Sequence, residues 1–152
     1  MATAVAAETR PYGFDDRDIR WYKLGDFEHF EFAMLDVDVA QKIVDFLVKF
    51  APNQKISLHR HLAPTTTLVV QGEHRMYERS GGLKAAHAAG SYTSHPANDT
   101  HRDGPGDREA IVFYSVRGKD GVLFEILDDD LNVVGTLSMD DFVGALKEQK
   151  NV

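Results

Sequence analysis

Residues 53–72 read NQKISLHRHLAPTTTLVVQG, and the reading of this stretch decides the fold. Polar and apolar residues alternate over 55–61 and again over 66–71, with Leu62-Ala63-Pro64 between them, which predicts two strands joined by a short connection. Successive side chains of a strand point to opposite faces, so His59 and His61 share one face and Arg60 takes the other. Two imidazoles already converge. A close histidine pair also occurs as ordinary surface polarity, so the pair alone leaves a metal site open.

The same period of two continues on both sides. Strands are predicted over 30–35, 43–50, 74–78, 90–94, 110–116 and 122–127, separated by clusters of Gly, Pro, Asn and Asp. Within 43–50, Val44, Phe46, Val48 and Phe50 fall on one face and Asp45 and Lys49 on the other, which favours a strand over a helical turn. A helix is predicted only at the end of the chain. There Ser138 can cap the first turn with Asp141 at the box position, and Phe142, Val143 and Leu146 form an apolar stripe expected to pack outside the sheets. The acidic run from Asp128 to Asn132 reads as a hairpin turn, since Asp and Asn bond their own backbone there.

With 152 residues the chain suits a single domain. Residues 1–10 are expected to form a flexible tail and residues 11–152 the domain. A net charge of -7, spread along the chain, argues against a nucleic-acid partner. The absence of cysteine excludes disulfides, thiolate zinc sites and cysteine nucleophiles, so any metal must be held by nitrogen and oxygen. Neither a secretory signal nor a membrane span is evident, and a cytoplasmic protein is expected. Edge strands make a homo-oligomer, a dimer or tetramer, plausible.

The spacing around the histidine pair resembles the cupin superfamily. In its first motif a Gly stands five residues before His-x-His, a Glu follows after three or four more, and a second Gly six residues later. Asn53, His59, His61 and Gly72 stand at these places, with Thr65 at the Glu position. In the second motif, Gly90, Pro96 and His101 match in spacing, with Asn98 in place of the second Gly and Pro105 in place of the final Asn. Asn tolerates a left-handed backbone better than most residues, so both Gly-to-Asn departures are mild.

The resemblance implies an all-β double-stranded β-helix, a jelly-roll barrel with a short C-terminal helix, that brings His101 opposite His59 and His61. Thr65 cannot supply the usual carboxylate ligand, so a three-histidine site is expected. Such ligands suit iron, zinc, copper or nickel without selecting among them. Three neutral imidazoles leave the ion's charge uncompensated, which should favour a chelating anion such as an enolate, or a phenolate beside a carbonyl.

Most of the chain is similar to small three-histidine cupins that include acetylacetone dioxygenase and 2,4'-dihydroxyacetophenone dioxygenase. The likeness is carried by Trp21, Gly25, Gly72, Arg75, Tyr77-Glu78, Gly90-Ser91-Tyr92 and the 124–134 hairpin. It implies an Fe(II) enzyme, with Zn, Ni or Mn as other metals, that uses dioxygen to cleave a carbon-carbon bond beside a carbonyl of a small diketone or hydroxyketone. The pocket arginine and glutamate of acetylacetone-cleaving relatives correspond here to Tyr77 and His95. A zinc-holding binding module, resembling the sensory half of certain anti-sigma factors, is a second reading, and a non-oxidative isomerase, lyase or hydrolase a third.

His95 and Tyr77 are the candidate catalytic residues. Each has a plainer alternative, as a loop histidine and as a strand former respectively. Thr67, Val112, Tyr114 and Val116 are candidate substrate contacts, the last three sharing one strand face that simple core packing would also use. Glu125 reads as an outward strand residue, His74, His87 and His29 as solvated or structural, and Arg102, Asp103, Arg108 and Glu109 as a solvated rim around a Gly-Pro-Gly loop.

Overall fold

The computed structural model describes residue 3 and residues 13–151, so most of the tail expected over residues 1–10 lies outside the described residues. Eleven strands and one helix follow in order: β1 (Phe30–Asp38), β2 (Ile43–Phe50), β3 (His59–His61), β4 (Thr65–Gln71), β5 (Glu73–Tyr77), β6 (Leu83–Ala88), β7 (Tyr92–His95), β8 (Thr100–Gly104), β9 (Ala110–Arg117), β10 (Val122–Leu127), β11 (Val133–Ser138) and α1 (Met139–Lys150). They make two antiparallel sheets, ordered β1-β2-β9-β4-β7 and β11-β10-β3-β8-β5-β6. This is the expected all-β jelly roll, with two separate sheets where a closed barrel was anticipated.

Alternation places one face of β2 and β9 in the interior, where Val44, Phe46, Val48, Val112, Tyr114 and Val116 form the main cluster with Phe124 and Phe142. Phe46 stacks on both Tyr114 and Phe142, at centroid separations of 5.3 and 5.5 Å. Burying a phenylalanine side chain contributes about 1.5–3 kcal/mol, so this stack alone strongly favours closing the sheets.

Helix α1 begins where its cap predicts. The Ser138 hydroxyl accepts from the Asp141 backbone N–H, and the Asp141 carboxylate accepts from Ser138 N–H. It does not simply lie on the outer surface. It packs against β1 and β11, the edge strands of the two sheets, and its Phe142 enters the core. Gln149 pins it there, accepting from Met34 N–H and donating to Met34 C=O at 2.9 and 2.8 Å.

The strands that position the site depend on tight turns. Asn53 and Asn98, standing where the motif has glycine, adopt φ of 60° and 69°, the left-handed backbone that asparagine tolerates. Gly72 has no such substitute. At φ 74°, a Cβ there would come within 2.6 Å of the Glu109 carbonyl oxygen.

Three strands were not anticipated. β6 (LKAAHA) is mostly alanine and charge on a sheet edge, and β8 (THRDG) has no large apolar residue because its inner face carries polar side chains. The third, β11, is the return strand of a hairpin only partly foreseen. Residues 55–58, expected to be strand, instead form a connection tied to β8 by Ile56 N–H donating to Asp103 C=O.

Candidate metal centre

β3 lies between β8 and β10, and its register sets His59 directly opposite His101. Two residues on along each strand returns the side chain to the same face, and because the strands are antiparallel His61 and Asp103 flank the His59–His101 pair from opposite ends. All four residues are buried, at 8 % exposure for His59, 3 % for His61, and 2 % each for His101 and Asp103. One ligand atom from each lies within 4.8 Å of the others. Among the described residues, no other group of three or more His, Asp or Glu side chains meets so closely.

The outer nitrogen of each imidazole is already committed. His59 Nδ1 lies 2.8 Å from the Ser57 carbonyl, which can only accept. His101 Nδ1 lies 2.8 Å from Asp99 Oδ2, and Asp99 is itself paired with Lys84 at 2.7 Å. His61 Nδ1 faces Thr65 Oγ1 at 3.2 Å, and that hydroxyl donates onward to the Ala63 carbonyl. Each Nδ1 is thus engaged from outside, and the three Nε2 atoms face the centre, those of His59 and His101 against Asp103 and that of His61 without a partner. Holding the far nitrogen in this way is how proteins orient histidine toward a metal.

His61 Nε2 is buried without any hydrogen-bond partner. Burial, reinforced by His59 and His101, pushes this imidazole's pKa well below the ordinary value, so a bare lone pair faces the centre. A buried acceptor left without a donor is costly, and a cation at this point would satisfy it. The residues therefore fit a divalent ion.

Asp103 corrects the expectation from sequence. It was read as part of a solvated rim, and no carboxylate was expected at the centre. It is buried, its Oδ2 2.9 Å from His59 Nε2 and 3.3 Å from His101 Nε2, its Oδ1 2.9 Å from His74 Nε2. Burial alone would raise its pKa, but His101, His59 and His74 outweigh burial and hold it well below the ordinary carboxylate value. The cluster thus offers three imidazoles and one negative charge, leaving one positive charge on a divalent ion where two were expected.

His74, expected to be solvated or structural, is fully buried behind Asp103 and stacked on Phe50. Glu125 pairs outward with Arg60, as the plainer reading had it. Asp128 accepts from the backbone of Asp130 and Asn132, the turn expected from composition.

Beside the cluster lies an apolar cavity of about 140 Å³, walled by seven of the chain's nine phenylalanines and by Leu24, Ile126 and Ala145 among others. His59, His61 and Asp103 form part of its lining. So does Tyr114, whose pKa burial raises well above the ordinary phenol value, with the Asp103 charge adding to the effect. Its hydroxyl therefore remains a hydrogen-bond donor. The other expected substrate contacts lie elsewhere: Val112 and Val116 are packed within the core, and Thr67 is buried with its hydroxyl 3.4 Å from His95 Nε2. His95 is half-buried, which lowers its pKa, and does not line the cavity. Neither does Tyr77, whose ring lies under the Lys55 ammonium at 4.3 Å.

A family profile described as the ChrR Cupin-like domain matches residues 10–119. The chain belongs to the ChrR cupin-like family. Solved cupins share its fold across most of the chain. An RmlC-like cupin protein from Ralstonia eutropha JMP134 is 20 % identical with a TM-score of 0.72, over 90 % of this chain and 85 % of that one. An acetylacetone dioxygenase from Acinetobacter johnsonii is 12 % identical with a TM-score of 0.68, over 97 % of each chain. In the complex of Rhodobacter sphaeroides SigE with the anti-sigma ChrR, the matched chain is 21 % identical with a TM-score of 0.54, over 66 % of this chain and 50 % of that one. At these identities the likeness establishes the fold alone. No curated protein matches the chain. No helix among the described residues of this ChrR-like cupin is long and apolar enough to cross a membrane.

Proposed function

We propose that this cupin is a mononuclear non-haem metal enzyme, an Fe(II) dioxygenase that cleaves a carbon-carbon bond adjacent to the carbonyl of a small diketone or hydroxyketone. The observation that carries the reading is the unpartnered Nε2 of His61, which faces two further Nε2 atoms and a buried carboxylate. His59, His61 and His101 would hold the ion, with Asp103 completing the set. When bound, iron supplies the electronic route by which dioxygen and an enolised carbonyl compound react.

The chain's own residues orient and exclude. The Ser57 carbonyl, Thr65 and Asp99 fix the three rings through Nδ1. The phenylalanine walls keep water from the substrate, and the Tyr114 hydroxyl, 3.4 Å from His74 Nε2, would turn from that ring to donate to a substrate oxygen. With one carboxylate in the set, a single enolate brings the centre to neutrality, so a monoanionic chelate suits it better than a dianion. His95 and Tyr77, which do not line the cavity, are further candidates for proton handling.

Anaerobic purification followed by metal analysis and an oxygen-electrode screen of diketones and hydroxyketones tests the reading. Iron bound at one per chain and oxygen uptake coupled to ketone loss are expected. Tightly held zinc with no turnover across the panel would instead favour a metal-containing binding module, the reading that the ChrR-like family match supports. Turnover without oxygen would favour an isomerase, lyase or hydrolase.

A further inference from the structure

A second concave site lies on the far side of β8 from the metal centre. Side chains alternate along the strand, so with His101 and Asp103 turned inward Arg102 points the other way, and its register partner Tyr77 in β5 shares that outer face. Three further segments meet Arg102 there. Lys55 comes from the connection between β2 and β3, Arg79 to Gly81 from the turn between β5 and β6, and Asp129 from the turn between β10 and β11. Together they line an open groove of about 460 Å³, a size that suits a small molecule.

The groove is charged in a way the rest of the chain is not. Its lining holds three cations, Lys55, Arg79 and Arg102, against one carboxylate, Asp129, which leaves two positive charges in excess on a chain whose net charge is -7. Like charges gathered from three separate segments repel one another, and a single carboxylate offsets only part of that cost. Arg102, whose side chain is only 20 % exposed, pairs with the Asp129 carboxylate, itself 87 % exposed. Arg79 Nε donates to the Asp129 C=O at 2.7 Å and Lys55 Nζ to the Gly81 C=O at 2.9 Å, with the Lys55 ammonium also over the Tyr77 ring. One hydrogen bond from each cation, among the described residues, leaves most of the N–H groups of two guanidinium forks and an ammonium open to a ligand.

This donor set selects a compact dianion. A planar carboxylate is satisfied by one guanidinium and carries half the charge that the groove can neutralise. A phosphate monoester carries about -1.5 to -2 charges at pH 7 and offers three strong acceptor oxygens, one for each cation. The Ser80 hydroxyl adds a further donor at the rim. A polyanion is a poorer match, because Asp128 and Asp130 flank Asp129 and the chain as a whole is negative.

We propose that this groove binds the phosphate group of a small phosphorylated compound, with Lys55, Arg79 and Arg102 as its cationic contacts and the Asp129 carboxylate as the group that the phosphate displaces. The site needs no metal and does not depend on the function proposed for the histidine centre.

The chelated protein, in which phosphate has no metal to bind, is titrated with inorganic phosphate at low ionic strength and followed by NMR of the backbone amides. Saturable shifts at residues 55, 79–81, 102 and 129 are expected, and acetate should bind at least about tenfold more weakly. Arg102→Gln should weaken phosphate binding by about tenfold or more. Because that change also releases the pair with Asp129 and could loosen the turn, Asp129→Asn supplies a test of opposite sign. It removes the competing charge but keeps the backbone carbonyl that holds Arg79, so phosphate should bind about fivefold more tightly, whereas a purely structural clasp would give no gain. No saturable shift at these residues, equal affinity for acetate and phosphate, or an Asp129→Asn variant that binds phosphate no more tightly than the parent would overturn the proposal. Tighter binding of a short oligothymidylate than of inorganic phosphate would overturn the small-ligand assignment in favour of a single-stranded nucleic acid.

Discussion

Replacing His61 with leucine should separate the two roles of this centre, because the residue is a liability without a metal and essential with one. In the metal-free chain its Nε2 is buried and unpartnered, and a buried acceptor in that state costs about 1–3 kcal/mol. Leucine has similar bulk and keeps apolar contact with Phe124, whose ring lies 4.8 Å from the imidazole. Thr65 loses nothing essential, since its hydroxyl still donates to Ala63 C=O. The chelated variant should therefore be no less stable than the parent. A gain of about 1–2 kcal/mol would appear as a Tm higher by about 2–8 °C for a domain of this size.

Metal reverses the order. At a free ion concentration 100 times Kd, the parent should gain about 2.7 kcal/mol, or about 5–11 °C, and the variant almost none. Thermal unfolding by circular dichroism, in EDTA and then in saturating zinc, measures all four values. A chelated variant destabilised by several kcal/mol, or one that still gains the full metal shift, would refute the reasoning.

Other outcomes follow from the same geometry. Asp103→Asn removes the one negative charge at the centre and should weaken zinc binding by at least about 100-fold, or about 2.7 kcal/mol, in a chelator competition; a loss under threefold would remove Asp103 from the ligand set. In the chelated protein, burial alone would lower the pKa of His101, but Asp103 and Asp99 together raise it above 6.5. Its contribution to stability is therefore complete below pH 6.5 and lost as pH rises through the raised value, so the chelated protein's Tm should fall on the alkaline side. The zinc-loaded protein should lack that decline, because the ion replaces the proton on Nε2. Ser138→Ala breaks the capping box of α1 and should cost about 1 kcal/mol, a Tm lower by about 2–4 °C.

Much of this structure was legible in the sequence, and what was not has a physical cause. The His59-x-His61 pair, the left-handed Asn53 and Asn98, and the Ser138 cap each follow from local chemistry that a single stretch of chain displays. Asp103 was missed because Gly104-Pro105-Gly106 suggested a loop. The period of two counted from His101 would have placed Asp103 on the ligand face. The role of Asp99 depends on a hydrogen bond to the far side of a ring, and that of His74 on a strand that reaches the centre from β5, so neither has a signature in spacing. The cavity wall was the least legible part. Its phenylalanines come from separate strands and the terminal helix, and no local pattern shows which apolar face packs solid and which leaves room.

X-ray absorption at the edge of the metal bound to purified, singly loaded protein tests the central claim most directly. A first shell containing three imidazole nitrogens, at about 2.0–2.1 Å for zinc, with at least one oxygen, is the expected result, and the imidazole signal should fall by a third in His61→Leu. A shell of oxygen atoms alone, or a spectrum unchanged by that substitution, would place the ion elsewhere and contradict the account.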